Sequence, residues 1–586
     1  MHPATGAEFP NFVMGHLASP LTVRFIFRLF RKVVTKESLL AVYLMPTFDE
    51  PTTVPPRTAY LVASGDLRHA ADIAGWATQV ETERAIADAL GELGWSVVRG
   101  HEFDPTVGHG FISSQRMGLE VFKHIPVDAP LIVAESIWQY SHHVLAGLRT
   151  HRGPILTAAN FAGDRPGLVG MLNLNACLTK MGKRYSSVWS VDFTDQWARD
   201  SIASWVATGE IQQDSSHVRD LKLTRDSAER SLGEAIARQL QTDKAIIGVF
   251  DEGCMGMYNA IIEDELLNPL GIYKERLSQS ALYAEMRNIK DEEADAVHKW
   301  LLERGMTFKL GADERTELTE SQLREQYKMY VAALRISDDF GLDAVGIQYQ
   351  QGLRDLVPAS DLAEGLLNNV DRPPVTSRDG TRVLRPGQAL PHFNEVDEGV
   401  AVDALITNRV WTAMHLDPAT TLHDIRWGRQ YGDDFVWVFE ISGSVPPSHF
   451  ANGYADAESW RQGPEYFPAG GGTIRGVSKA GEIVWSRLFI EAGQLHFDIG
   501  RGRAIDLPQK ETELRWAATN PEWPIMHAVL DGVTRDQLMG RHKANHVQVV
   551  YAPDAHTADK ALLVKAAAFA ALGVSVHLCG DVGEVF

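Results

Sequence analysis

The residues best suited to chemistry lie in the stretch H-K-A-N-H-V-Q-V-V at positions 542–550, where Asn545 and His546 stand just before an alternating apolar run. A polar pair at a strand entrance suggests a site. Two acidic stretches lie upstream, H-F-N-E-V-D-E containing Glu395 and L-H-D-I-R-W containing Asp424, each beside segments that read as strands. Two carboxylates and one imidazole make a donor set for a hard divalent cation. Taken singly, each residue has an ordinary reading as a hydrogen-bonded histidine or a salt-bridged acid. Asp397 and Glu398 stand close enough to Glu395 to be confused with it.

The elements that must position these residues can be read from texture. At 586 residues the chain is long enough for several domains. From residue 57 strands alternate with helices: A-Y-L-V-A-S, a helix carrying Ile73, Trp76, Val80, Ile86 and Leu90, then strand segments at 95–98, 130–134 and 154–158. That alternation predicts a parallel α/β sheet. A second α/β unit opens at Lys244 with A-I-I-G-V-F, a glycine turn D-E-G-C-M-G-M and a helix over about 258–267. Helical sequence dominates 291–338, and L-D-A-V-G-I-Q-Y-Q-Q then reads as a strand with Gln348 and Gln350 on one face. After about residue 410 come short strands without long helices, including F-V-W-V-F-E-I-S, E-I-V-W-S-R-L-F-I and Q-L-H-F-D-I, which predict a β-rich, barrel-like domain. The expected fold class is therefore α/β, two parallel-sheet domains followed by a β-rich domain, with boundaries at 1–56 (arm and linker), 57–242, 243–409 and 410–586.

Composition narrows the classes of function. The content is 45% hydrophobic and 23% charged, that of an ordinary soluble globular protein, and a net charge of −20 argues against a nucleic-acid partner. Cys177, Cys254 and Cys579 form no C-x-x-C pair, so neither a disulfide framework nor a thiolate zinc site is indicated, and a cytoplasmic location fits best. In residues 21–43 the apolar side chains are interrupted by Arg24, Arg28, Arg31, Lys32, Lys36 and Glu37, which excludes a membrane span there. The segment reads as an arm docking on the protein's own body or on a neighbouring subunit. The G-x-x-G turn near 253–256 lacks both the dinucleotide fingerprint and the Lys-Ser/Thr of a phosphate loop. Cys254 on that turn resembles a nucleophile on an elbow, without an identifiable base. Glu135, Trp138 and Tyr140 follow the strand L-I-V-A, where ligands gather in parallel sheets.

The wording and order of several patches resemble the L-fucose isomerase family, in the fucose/arabinose isomerase group. The family's T-E-N-D and later A-D-V-R look like N-E-V-D at 394–397 and H-D-I-R at 423–426, and its W-G-A-N-H looks like R-H-K-A-N-H at 541–546. E-Y-F-R-G-G-G is echoed at 465–472, G-F-Q-G-Q at 346–350 and C-W-C-Y at 137–140. The resemblance implies that Glu395, Asp424 and His546 bind a catalytic Mn²⁺ (or Mg²⁺ or Co²⁺), that Glu395 and Asp424 transfer protons, and that Trp138, Gln348, Tyr466 and Asn545 contact substrate. It also implies a homo-oligomer, a hexamer, in which Trp138 reaches a neighbouring subunit's site. One departure stands out: the family's first strand carries an arginine in I-R-P, where this chain reads V-A-S at 62–64, leaving Arg68 as the nearest arginine.

The ligand set suits the chemistry so implied. Moving a carbonyl between adjacent carbons of an open-chain sugar requires removing a weakly acidic proton and stabilising an enediolate, which a cation and paired carboxylates can do. The leading expectation is a metal-dependent aldose–ketose isomerase for a deoxyhexose or pentose of the L-fucose or D-arabinose type. The alternatives are an epimerase or carbon–carbon lyase on a related sugar or sugar acid, and a non-catalytic sugar-binding protein on the same scaffold.

Overall fold

The computed structural model of the chain describes residues 53–582, apart from the side chain of Cys254. The N-terminal arm expected from the sequence, up to residue 52, and the reading of Cys254 as a nucleophile lie outside the described residues.

The first sheet contains β1 (Thr58–Val62), β2 (Ser96–Arg99), β3 (Leu131–Glu135), β4 (Ile155–Asn160) and β5 (Ser186–Ser190), all parallel, in the order β2-β1-β3-β4-β5. β3, β4 and β5 are buried along their whole length, as parallel strands covered on both faces must be. Strand order reverses between β1 and β3, and in such sheets ligands bind beyond the strands' carboxyl ends at that reversal. Arg68 follows β1 and Trp138 follows β3. Helix α1 (His69–Glu92) connects β1 to β2. Ile86 and Leu90 are buried as the periodicity predicts, but Ile73 and Val80 are each 45% exposed. The first half of α1 packs instead through small and polar residues. Gly75 comes so near the segment after β3 that a Cβ there would lie 2.1 Å from Ile137.

A second parallel sheet is formed by β6 (Ala245–Phe250), β7 (Ile272–Leu277) and β8 (Ala344–Ile347), ordered β8-β6-β7. Two details differ from the sequence reading. The helix expected over 258–267 is a short turn, Tyr258–Ala260, and a single helical turn, Asp264–Leu267. Between them the Ile262 N–H donates to the Glu398 carboxylate at 2.6 Å rather than to a helical carbonyl. Gln348 and Gln350 are not on a strand face, because β8 ends at Ile347. Beyond it Tyr349 takes a positive φ of 55°.

Six strands close an antiparallel barrel: β9 (Thr420–Tyr431), β10 (Asp434–Glu440), β11 (Gly481–Glu491), β12 (Gln494–Ala504), β13 (Ile525–Leu530) and β14 (His546–Ala552). The circuit runs β11-β14-β9-β10-β13-β12 and returns to β11. This is the two-sheet, β-rich class expected. Helix α2 (Glu398–Ala413), which begins just after Glu395, packs on β11 and β9. Among the described residues no helix is long and apolar enough to cross a membrane.

Candidate functional site

Strand register brings two of the three candidate ligands together. β9 and β14 pair antiparallel with Asp424 directly opposite His546, a spacing at which side chains on one face meet. Glu395 arrives from the second sheet. His392 bridges to Val345 beside β8, and the chain then turns through Asn394–Val396 before α2 begins. Glu395 and Val396 hold φ of 56° and 54° in this turn, a conformation that costs non-glycine residues about 1–3 kcal/mol each and is tolerated where the surroundings impose it.

Asp397 imposes it. As the N-cap of α2, its Oδ1 accepts from the Gly399 and Val400 N–H groups at 3.1 and 3.3 Å. Arg487 donates to both of its oxygens, at 2.6 and 3.1 Å. His546 Nδ1 donates to Oδ2 at 2.8 Å. Burial alone would raise the Asp397 carboxyl, but Arg487 and His546 hold it well below the usual carboxylate range. With Nδ1–H committed to Asp397, the Nε2 lone pair of His546 points toward Glu395 Oε2 and Asp424 Oδ1, 3.6 Å from each. A carboxylate that fixes the tautomer of an imidazole in this way is a recurrent support of metal-binding histidines.

Two carboxylates and an imidazole are the donor types that a hard divalent cation takes. Asp424 Oδ1 is buried without a hydrogen-bond partner. Burial pushes Glu395 up to about 7, with His546 and Arg68 opposing and Asp424 and Asp397 reinforcing the rise. Burial likewise raises Asp424, against His546 and Arg426. Burial lowers His546, but Asp397, Asp424 and Glu395 outweigh it and raise its affinity for a proton. Three groups that strain to share protons are groups that a cation would relieve. Ligands of one ion lie about 3.0–3.5 Å from each other; the two separations from His546 Nε2, 3.6 Å each, are slightly longer, and the described residues contain no preformed cage.

These residues border a cavity. Glu395, Asp424, Asn545, Tyr466 and Trp138 all line it, and His546 lies directly behind the carboxylates. Gln348 does not reach it but lines an adjoining recess. Trp138 lines the cavity from within the same chain as Glu395 and Asp424. Neither side-chain amide atom of Asn545 has a hydrogen-bond partner, nor does the Trp138 indole N–H.

Sequence reasoning gave no role to several residues here, although it named Asp397 as a neighbour of Glu395 and Arg68 as the nearest arginine to the first strand. Asp397 is the main one, and its only signal was its place between Glu395 and an apolar helix. Arg68 stacks over the Tyr466 ring, 4.6 Å from its centroid, and is clamped by Asp66 through Nε and Nη2. It lines the cavity at the strand-order reversal. Arg426, two residues past Asp424, lines the cavity too, and its Nη2 donates to Asn520 at 2.8 Å. Glu398, the other acid that competed with Glu395 in the sequence, turns away to pair with Lys274 at 2.9 Å.

The fold and site thus define an α/β protein with a C-terminal barrel and a carboxylate–imidazole centre. Residues 442–570 match the family model of the L-fucose isomerase C-terminal domain. That match supports the L-fucose isomerase family, and it points to a sugar isomerase family. It covers Tyr466, Asn545 and His546, while Glu395 and Asp424 precede it. No curated protein matches the chain.

Proposed function

We infer that the protein is a metal-dependent aldose–ketose isomerase acting on a deoxyhexose or pentose of the L-fucose or D-arabinose type. The observation that carries this reading is that Glu395 and Asp424 line one cavity while the Asp397-oriented Nε2 of His546 faces both of them from behind. Glu395, Asp424 and His546 would hold Mn²⁺, Mg²⁺ or Co²⁺, which supplies Lewis-acid stabilisation of negative charge. Glu395 and Asp424 transfer the proton between adjacent carbons, one as base and the other as acid. A carboxyl that burial keeps near 7 is well matched to proton exchange at neutral pH. Asn545 and Arg68 present donors to the developing enediolate. Trp138, Trp523 and Phe467 supply the apolar wall on which the C–H face of a sugar packs. Arg68 and Trp138 come from the same chain as the carboxylates, and the homo-oligomeric, hexameric assembly of this reading rests on the family resemblance. Three dispersed cysteines fit work in the cytoplasm.

Proton NMR in D₂O with Mn²⁺-supplemented protein tests this reading. Incubation with L-fucose, D-arabinose and related aldoses should give ketose signals and deuterium at the carbon beside the carbonyl, both abolished by Glu395→Gln and by chelation. Exchange without ketose would redirect the reading to epimerisation or carbon–carbon cleavage. No exchange with any sugar, in a protein that binds Mn²⁺, would refute isomerisation of this substrate class.

A further inference from the structure

Beside the main cavity lies a narrow recess that shares Gln350, Glu395, Ser442 and Phe467 with it and ends on Gln348, Asp361 and Glu364, the last of which accepts from the Asn394 amide. Three buried polar groups there are only half satisfied. Asp361 is 3% exposed. Its Oδ1 accepts from the Ser442 hydroxyl at 2.5 Å, while Oδ2 has no partner. Gln348 is held through Oε1 by the Gln351 N–H at 2.8 Å and by Gln279 Nε2 at 3.2 Å, which leaves its Nε2 unpartnered. Gln350 leaves its Oε1 unpartnered.

The mixture of unmet groups states what would satisfy them. An anion is excluded, because Asp361, Glu364 and Glu395 would repel it. A cation would leave the Gln348 N–H groups unmet. A neutral hydroxyl both donates and accepts, so it can give its hydrogen to Asp361 or Gln350 and receive one from Gln348. Buried polar groups are hydrogen-bonded in native proteins as a rule, and a group left unmet in a cavity wall is a group the ligand is expected to meet.

We propose that this recess is a second polar subsite, which takes one hydroxyl of the substrate, and that Asp361 is the residue that selects for that hydroxyl. The proposal rests on the sugar reading above and deepens it. Because Glu395 borders both spaces, the hydroxyl concerned is one close to the carbons on which Glu395 acts. A site built to pair with a hydroxyl rejects analogues that lack it far more strongly than an apolar pocket rejects an added one.

The test is equilibrium binding, by calorimetry and by quenching of Trp138 and Trp523, with L-fucitol and its monodeoxy analogues as probes. These alditols have no carbonyl and cannot turn over. The Mn²⁺-loaded wild type should bind L-fucitol and lose about tenfold in affinity for one monodeoxy analogue, the scale of one hydrogen bond. Asp361→Asn, which keeps an acceptor for Ser442, should bind L-fucitol about tenfold more weakly and should no longer discriminate against that analogue. If Asp361→Asn fails to fold, Gln350→Met reads the same contrast. Wild-type affinity and discrimination in the folded variant would overturn the subsite while leaving the isomerase reading intact, and would mark the recess as a water-filled part of the scaffold. A wild type that binds no alditol would overturn both.

Discussion

Replacing Asp397 with asparagine asks whether the helix cap sets the chemistry of the histidine. The change keeps shape and capping ability, since asparagine caps a helix about as well as aspartate. It does not keep the hydrogen bonds. All the groups around Asp397 are donors: the Gly399 and Val400 N–H groups, Arg487 and His546. The new NH₂ therefore has no acceptor in either orientation as long as His546 keeps its proton on Nδ1. Turned toward His546, it forces the ring proton from Nδ1 to Nε2, the nitrogen that faces Glu395 and Asp424. Supporting residues of this kind typically cost about 10–100-fold in metal affinity when changed, or about 1.4–2.7 kcal/mol. Arg487, 2% exposed, also loses its counter-charge, and stranding a buried charge costs about 3–5 kcal/mol of stability. Calorimetric titration with Mn²⁺ and urea denaturation of the same preparation measure both effects. A variant that loses stability yet binds Mn²⁺ within about twofold of wild type would refute the claim that Asp397 prepares His546 as a ligand.

Other expectations follow from particular contacts. Burial, then Arg515, holds His527 down to about 4. A folded pKa below the unfolded 6.5 means that its contribution is intact above pH 6.5 and is lost as the pH falls toward 4. Relative to His527→Phe, the wild type should therefore lose about 1.4 kcal/mol per pH unit across that window, and a constant difference in unfolding free energy would contradict the assignment. Gly233 lies on helix Ala228–Asp243, where a Cβ would come within 2.4 Å of the Val564 carbonyl on helix Ala555–Ala571. Gly233→Ala should destabilise by about 1–3 kcal/mol despite alanine's better helix propensity; an unchanged or higher denaturation midpoint would show that the helices yield. Arg68→Lys keeps the charge but loses the planar fork on Asp66 and the stack on Tyr466. It should lower kcat/KM by about 10–100-fold, and steady-state kinetics matching the wild type would remove Arg68 from the binding site.

Much of the architecture was legible in the sequence, for a physical reason. Hydrophobic periodicity is local, so the switch from alternating strands and helices to strands alone announced the change from parallel sheets to a barrel. It misjudged places where a distant partner took over a local hydrogen bond, as Glu398 does at the Ile262 N–H, breaking the expected helix. The candidates at 395, 424 and 546 could also be named, because a cation's preference for carboxylate and imidazole follows from residue type and the family resemblance singled out these three.

What the sequence by itself could not determine was which acid near 395 does what. Asp397 and Glu398 are as acidic as Glu395 and only a few residues away. Their roles are decided by what stands opposite them, Arg487 and His546 for the one and Lys274 for the other. The same holds for Arg68, placed over Tyr466 by a reversal of strand order, and for Asp361, whose unmet oxygen exists only because the walls of the recess close around it. Side-chain type is written in the chain. Partnership across tens or hundreds of residues is set by strand register and packing, and only the tertiary structure supplies those.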